Sequence, residues 1–74
     1  MAKPLSKKHK LFGLRVKGLR IEKDITQEDL AFKIGVDRSY MGFVERGERN
    51  STLDKLIKIA KALGISLSEL FKGV

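Results

Sequence analysis

Residues 27–46, QEDLAFKIGVDRSYMGFVER, carry the strongest structural signal in this chain. Apolar residues at helical spacing predict two short helices joined by a tight turn. Ala31 puts a small side chain where the second helix has to cross the first closely. Gly35, four positions later, tolerates the positive φ that such a turn requires, and Val36 offers an apolar side chain to plug the turn. The stretch therefore predicts a steeply crossed pair of helices.

The second helix of this pair is predicted to bury one side and to expose the other. Met41 and Val44 lie three positions apart and are expected to face inward with Leu30 and Ile34. In a helix-turn-helix unit, the exposed side of the second helix enters the major groove of DNA. A plain helical hairpin is the alternative. The side predicted to be exposed carries Arg38, Ser39, Gly42 and Phe43.

The flanking sequence predicts an all-α fold, a compact five-helix bundle. Capping residues and apolar periodicity place helices over about residues 7–23, 27–34, 38–46, 53–63 and 67–71. The fourth helix is predicted to keep one apolar face, which consists of Leu53, Leu56, Ile57, Ala60 and Leu63. Residues 1–6 are predicted to be a flexible basic N-terminus, and residues 7–74 a single domain.

Charge is distributed unevenly along the chain, whose formal net charge is +7. Residues 1–20 contain no acidic group, and from residue 21 onward the acidic and basic groups cancel. Such a segment favours a polyanionic partner. An anionic membrane surface and a solvated lysine-rich tail remain alternatives. The basic residues of the segment are Lys3, Lys7, Lys8, Lys10, Arg15, Lys17 and Arg20.

Composition argues against several other classes of protein. The chain has no cysteine and a single histidine, His9, which is expected to be solvated. Neither a disulfide nor a metal site is therefore expected, and no cofactor is expected either. The sequence contains neither a Gly-rich phosphate loop nor a pair of acidic residues suited to acid/base catalysis, so nothing in it indicates an enzyme. No apolar run approaches the length of a membrane span, and no secretory signal is recognisable.

Three motifs resemble the Xre/Cro family of phage repressors and bacterial regulators. They are TQEDLA at 26–31, ERGERN at 45–50 and KIAKALG at 58–64. DRSY at 37–40 followed by ERGERN is similar to the controller proteins of restriction-modification systems. The resemblance covers about residues 10–72 and implies a lambda-repressor-like bundle. Asp24 replaces the usual Gly at the end of the first helix, and Ser51 replaces a frequent Pro.

The predicted base-reading residues lie on the exposed side of the third helix. Arg38 is the strongest candidate, because a guanidinium bonds guanine O6 and N7 together. Ser39 is placed to bond a base edge or a phosphate. Phe43 would contact a thymine methyl group; a partly buried ring or a dimer contact is the alternative. Gly42 completes the predicted reading surface, although Gly42 and Phe43 are both unusual there.

Phosphate contacts are predicted on both sides of the reading surface. The second helix crosses the DNA backbone in this motif, and the resemblance marks Gln27 as a phosphate clamp. The resemblance also implies a largely buried ion pair between Arg20 and Glu45, which removes Arg20 from the DNA contacts. The remaining predicted phosphate contacts are Tyr40, Arg46, Arg49, Asn50 and Thr52; the alternative for Tyr40 is a ring packed on the first helix.

The resemblance implies a homodimer that binds double-stranded operator DNA, in the cytoplasm and with the nucleoid. Surplus apolar residues near the C-terminus are predicted to form the dimer interface, or else to close the core. They are Ile59, Ile65, Leu67, Leu70 and Phe71. The predicted function is a sequence-specific transcriptional regulator. An antitoxin-like or anti-regulator module, which would use the same bundle to hold a protein partner, is the alternative.

Overall fold

The computed structural model describes residues 3–74, so that Met1 and Ala2 of the predicted flexible N-terminus lie outside the described residues. Five helices follow one another: α1 is Lys7–Glu22, α2 is Gln27–Ile34, α3 is Arg38–Glu45, α4 is Leu53–Leu63 and α5 is Leu67–Leu70. The described residues contain no strand. The predicted all-α, five-helix architecture is confirmed.

Local capping explains where these helices begin. In each case a hydroxyl or carboxylate side chain accepts a hydrogen bond from the backbone N–H three residues later, which satisfies an amide that has no partner within the helix. Thr26 and Asp29 form a complete reciprocal capping box at α2. The capping residues are Ser6, Thr26, Asp37, Thr52 and Ser66.

The core brings together one face of each helix. Val16, Leu30, Met41, Ile59 and Leu70 are each 0 % exposed. Burial of a Leu, Ile or Met side chain is worth about 1.5–3 kcal/mol, so this set supplies much of the stabilisation of a small domain. Further core residues are Phe12, Leu19, Ala31, Ile34, Val44, Ala60 and Leu63.

The predicted apolar face of α4 is partly wrong. Leu53 is 65 % exposed and Ile57 is 40 % exposed, whereas Ile59, which was assigned to a dimer interface, lies in the core. The apolar stripe of α4 is wider than the surface that the other helices cover. One side of it, which consists of Leu53 and Ile57, is therefore left at the surface.

Two glycines allow α1 to lie directly on the end of α3. A Cβ added to Gly13 would overlap the carbonyl oxygens of Val44 and Glu45. Gly47 has φ +76°, and a Cβ there would lie 2.7 Å from the Cα atom of Lys10. Backbone therefore packs on backbone at both places, which fixes the first helix against the third.

Asp24, the residue that replaces a glycine of the family, has φ 58° in the turn after α1. This left-handed conformation disfavours most L-residues and is tolerated somewhat better by Asp and Asn. Among the described residues, Asp24 is the one non-glycine residue with a positive φ. None of the helices in the described part of the chain is both long and apolar enough to span a membrane.

Candidate nucleic-acid interface

Helix α3 exposes a polar surface at its beginning. Arg38 and Ser39 are exposed, and Phe43, one turn further on, is 40 % exposed. On the opposite side of the same helix, Met41 and Val44 are 0 % and 1 % exposed. The core therefore holds α3 rigidly by one side and presents the other side to solvent.

The N-terminus of α3 is held by Asp37. Its carboxylate accepts hydrogen bonds from the Ser39 hydroxyl at 2.7 Å and from the Tyr40 backbone N–H at 2.9 Å. The hydrogen bond from Ser39 is the main reason why the pKa of Asp37 lies below its usual value. The bond from the Tyr40 N–H and the nearby charge of Arg49 lower it further. The cap is therefore charged at neutral pH. Because Ser39 already donates to Asp37, its hydroxyl has a partner in this structure.

Arg38 adjoins a polar depression between α1, α2 and α3. The depression is lined on its other sides by Arg20, Thr26 and Gln27, among other residues. Arg38 makes no hydrogen bond or ion pair to any other described residue. Its guanidinium is consequently available to an external acceptor, at the position where a recognition helix meets DNA.

A buried polar cluster lies behind this depression. Glu45 is 5 % exposed and accepts from Arg20 Nε at 2.7 Å and from Arg20 Nη2 at 3.1 Å. Gln27 Nε2 donates to the same carboxylate at 2.9 Å, and Arg20 Nη1 donates to the Ile25 carbonyl at 2.9 Å. The cluster joins α1, α2 and α3 through one carboxylate. The Gln27 amide, predicted to clamp a phosphate, is thus engaged inside the protein.

The loop between α3 and α4, residues 46–52, is attached to α3 by Tyr40. The Tyr40 hydroxyl donates to Ser51 Oγ at 3.0 Å, and the Arg49 guanidinium lies 4.9 Å from the Tyr40 ring centre. Arg46 lies over Phe43 at 5.0 Å in the same way and pairs with Glu48 at 3.3 Å. Cation–π contacts of this kind position a guanidinium without neutralising its charge.

Two predicted DNA-contact residues have other surroundings than the sequence suggested. Gly42 was predicted to lie on the reading surface, but it is buried, and the Arg46 guanidinium covers it. The Arg46 side chain covers this part of the helix surface instead. Gly42 has no side chain, which leaves room for the long side chain of the residue one helical turn later. Thr52 caps α4 by accepting from the Lys55 N–H at 3.2 Å.

His9, which was expected to be solvated, is half-buried, and both of its ring nitrogens have protein neighbours. One ring nitrogen, Nδ1, lies 2.6 Å from Ser6 Oγ, and the other, Nε2, lies 3.1 Å from Asn50 Oδ1. The first contact is local, since Ser6 caps the helix on which His9 stands three residues later. The second joins positions 41 residues apart, so no local pattern could have indicated it.

The predicted dimer residues fall into three groups by their exposure. Ile59 and Leu70 are both 0 % exposed, so their assignment to an interface is wrong; they complete the core of one chain. Ile65 and Leu67 are half-buried. Phe71 is 39 % exposed and stacks on Phe12 with ring centres 5.0 Å apart.

Comparison with known proteins finds relatives among helix-turn-helix proteins. A family model described as helix-turn-helix matches residues 16–70. The chain is 48 % identical over 64 residues to the control protein C.MunI of Mycoplasma sp, an alignment that spans 85 % of this chain and 86 % of that protein. It is 44 % identical over 61 residues to the control protein C.BamHI of Bacillus amyloliquefaciens, with 81 % and 75 % covered.

A solved structure shows the same fold. The restriction-modification controller protein C.AhdI from Aeromonas hydrophila superimposes with a TM-score of 0.85 at 48 % sequence identity. The match covers 88 % of this chain and 98 % of that one. The similarity therefore extends over most of the chain.

Proposed function

The chain belongs to the Xre-like helix-turn-helix family, and on this premise we propose that it is a sequence-specific DNA-binding transcriptional regulator, the controller protein of a restriction-modification system. It would act in the cytoplasm on its own promoter and on a linked restriction gene. The operator position decides whether the same DNA contact represses or activates.

The observation that carries this proposal is the exposed start of α3. Among residues 3–74 Arg38 has no hydrogen-bond or ion-pair partner, and it stands on a helix whose other side, with Met41 and Val44, is buried. A rigid helix with a free guanidinium in its first turn fits the major groove, where an arginine paired with guanine contributes about 1–3 kcal/mol of discrimination. Arg49 is held on the Tyr40 ring and would meet the backbone, which sets position without reading bases.

We expect Arg38→Ala to relax the sequence preference, and Arg49→Ala to weaken binding to all sites about equally. The measurement starts from duplexes selected from a random pool by the wild-type protein. Affinities for the selected duplex and for single-base changes in it are then compared between variants. Loss of discrimination at one base pair per half-site, by about 1–3 kcal/mol, is the result expected for Arg38→Ala.

Three results would argue against these roles. An Arg38→Ala protein with the wild-type preference would show that another residue reads the bases. An Arg49→Ala protein with altered preference would exclude a pure backbone contact. A wild-type protein that selects no sequence at all would favour the alternative, an antitoxin-like module that holds a protein partner.

A palindromic operator requires a protein with two-fold symmetry, and we propose that the chain binds DNA as a homodimer. Its two recognition helices would enter major grooves about 10 base pairs apart. The exposed apolar pair Leu53 and Ile57, one turn apart on α4, supports this proposal. With the half-buried Ile65 and Leu67, the pair replaces Ile59 and Leu70 as the proposed contact surface.

The double variant Leu53→Glu/Ile57→Glu is expected to be a folded monomer at concentrations at which the wild-type protein is a dimer. Four carboxylates would face one another across the two-fold axis, and their desolvation would oppose association. Sedimentation equilibrium gives the mass, and circular dichroism reports the fold. Leu14→Glu, at a position 53 % exposed on α1, is the matched control and should remain dimeric. A double variant that still dimerises would place the interface elsewhere.

A further inference from the structure

We propose that the first turn of α1 is a second phosphate-binding segment, which continues the DNA contact of the loop at residues 46–52 through Lys8 and Lys10. The inference rests on the proposed function and extends it. It assigns a role to the basic N-terminal segment, which is not part of the DNA contact proposed for α3.

The fold places this turn directly beside the loop. The Leu5 N–H donates to the Gly47 carbonyl at 2.8 Å, and the backbone of Lys10 packs against the Cα atom of Gly47. Lys8 and His9 line the same surface depression as Arg49 and Asn50, together with four apolar side chains from α1, α4 and the C-terminal segment. The two segments therefore form one continuous surface, and contacts between backbones hold them together.

The bond between His9 and Asn50 determines which atoms of that surface face outward. Asn50 Oδ1 lies 3.1 Å from His9 Nε2, and because an amide oxygen only accepts, this contact makes Nε2 the donor. The amide oxygen of Asn50 is thereby occupied. Its NH₂ group, which only donates, is left for an external acceptor, and Asn50 is exposed. A phosphate oxygen is such an acceptor.

Glu48, the acidic residue of the loop, is paired with Arg46, and the other charged groups of this surface are cationic. No acidic residue lines the depression shared by α1 and the loop, and the first acidic residue of the chain is Glu22. Among the described residues, Lys8, Lys10 and Arg49 form no ion pair. Duplex DNA carries one charge per about 1.7 Å of its axis, so a strand that meets Arg49 and Asn50 presents further phosphates to cations beside them.

The test compares two double variants that lower the net charge equally. Lys8→Ala/Lys10→Ala removes the proposed contacts, whereas Lys33→Ala/Lys61→Ala removes exposed lysines that line a depression of α2 and α4. Affinity for the duplex selected by the wild-type protein is measured over a range of salt concentrations. Each phosphate contact contributes about 0.9 to the slope of log K against log salt, so the first variant should lose about 1.8 per bound protomer.

The first variant should also bind about tenfold more weakly at low salt, while the control keeps the wild-type slope. Thermal unfolding of both variants checks that the fold is intact. Equal losses of slope in the two variants would overturn the inference, because overall charge would then explain them. If Lys8→Ala/Lys10→Ala keeps the wild-type salt slope and still binds the selected duplex, the inference about α1 is overturned, but the proposed function is not affected. A wild-type protein without any preferred duplex would overturn both.

Discussion

Replacement of Glu45 by alanine should destabilise the domain by about 3–5 kcal/mol, a large part of the total stability of a small protein. The Arg20 side chain is 11 % exposed and has its main counter-charge in Glu45. Without that carboxylate, a guanidinium stays buried with only the Ile25 carbonyl as acceptor, and the Gln27 amide loses its acceptor. Urea unfolding followed by circular dichroism measures the loss as a lower midpoint.

Two controls separate the buried charge from other causes. Asp54→Ala breaks an exposed ion pair with Lys58, in which the Asp54 side chain is 72 % exposed, and should cost about 1 kcal/mol or less. The double variant Arg20→Met/Glu45→Met replaces both charges by apolar groups and should be more stable than Glu45→Ala. If Glu45→Ala costs no more than Asp54→Ala, the cluster does not depend on a desolvated charge.

Gly13→Ala is the second change for which we expect a large effect, a loss of about 2–3 kcal/mol. The added methyl group would overlap the carbonyl oxygens of Val44 and Glu45, and backbone atoms cannot turn aside as the end of a side chain can. Helices α1 and α3 would have to separate, which also shifts the carboxylate of Glu45 relative to Arg20. The expected readout is a lower unfolding midpoint together with weaker binding of the selected duplex.

Gly18→Ala provides the matched control on the same helix. Gly18 is exposed, and apart from the neighbouring backbone of α1 itself, an added Cβ would have no atom within 4 Å. Because alanine favours a helix over glycine by about 1 kcal/mol, this variant should be more stable than the wild type. Both substitutions add one methyl group to α1. If they change the free energy of unfolding in opposite directions, the difference is due to the contact between α1 and α3. A stabilising Gly13→Ala would mean that α1 does not pack on α3 as closely as described.

The helices were predictable because their signals are local. A cap such as Thr26 or Asp37 involves an N–H only three residues away, and the positive φ of Gly35 ends α2 whatever lies around it. The apolar period likewise indicates which side of α3 is buried, since Met41 and Val44 lie within one turn. These properties need no knowledge of how the helices cross, so the predicted bounds agree with the structure to within about one residue.

The partners of the polar side chains could not be derived in this way. His9 bonds a residue 41 positions away, and Gln27 bonds one 18 positions away. Such contacts exist only once the distance and angle between helices are set, which here depends on Gly13 meeting the end of α3. A glycine in a helix gives no pattern that reveals which backbone it will touch.

Secondary structure, the buried side of α3 and the exposed position of Arg38 thus follow from residues close together in the chain. Which part of the wide apolar stripe of α4 stays at the surface depends instead on the helices that cover it. Ile59 and Leu53 are both apolar, yet one is 0 % and the other 65 % exposed. The physical reason is that periodicity determines the direction of a side chain, whereas packing between distant segments determines what it meets.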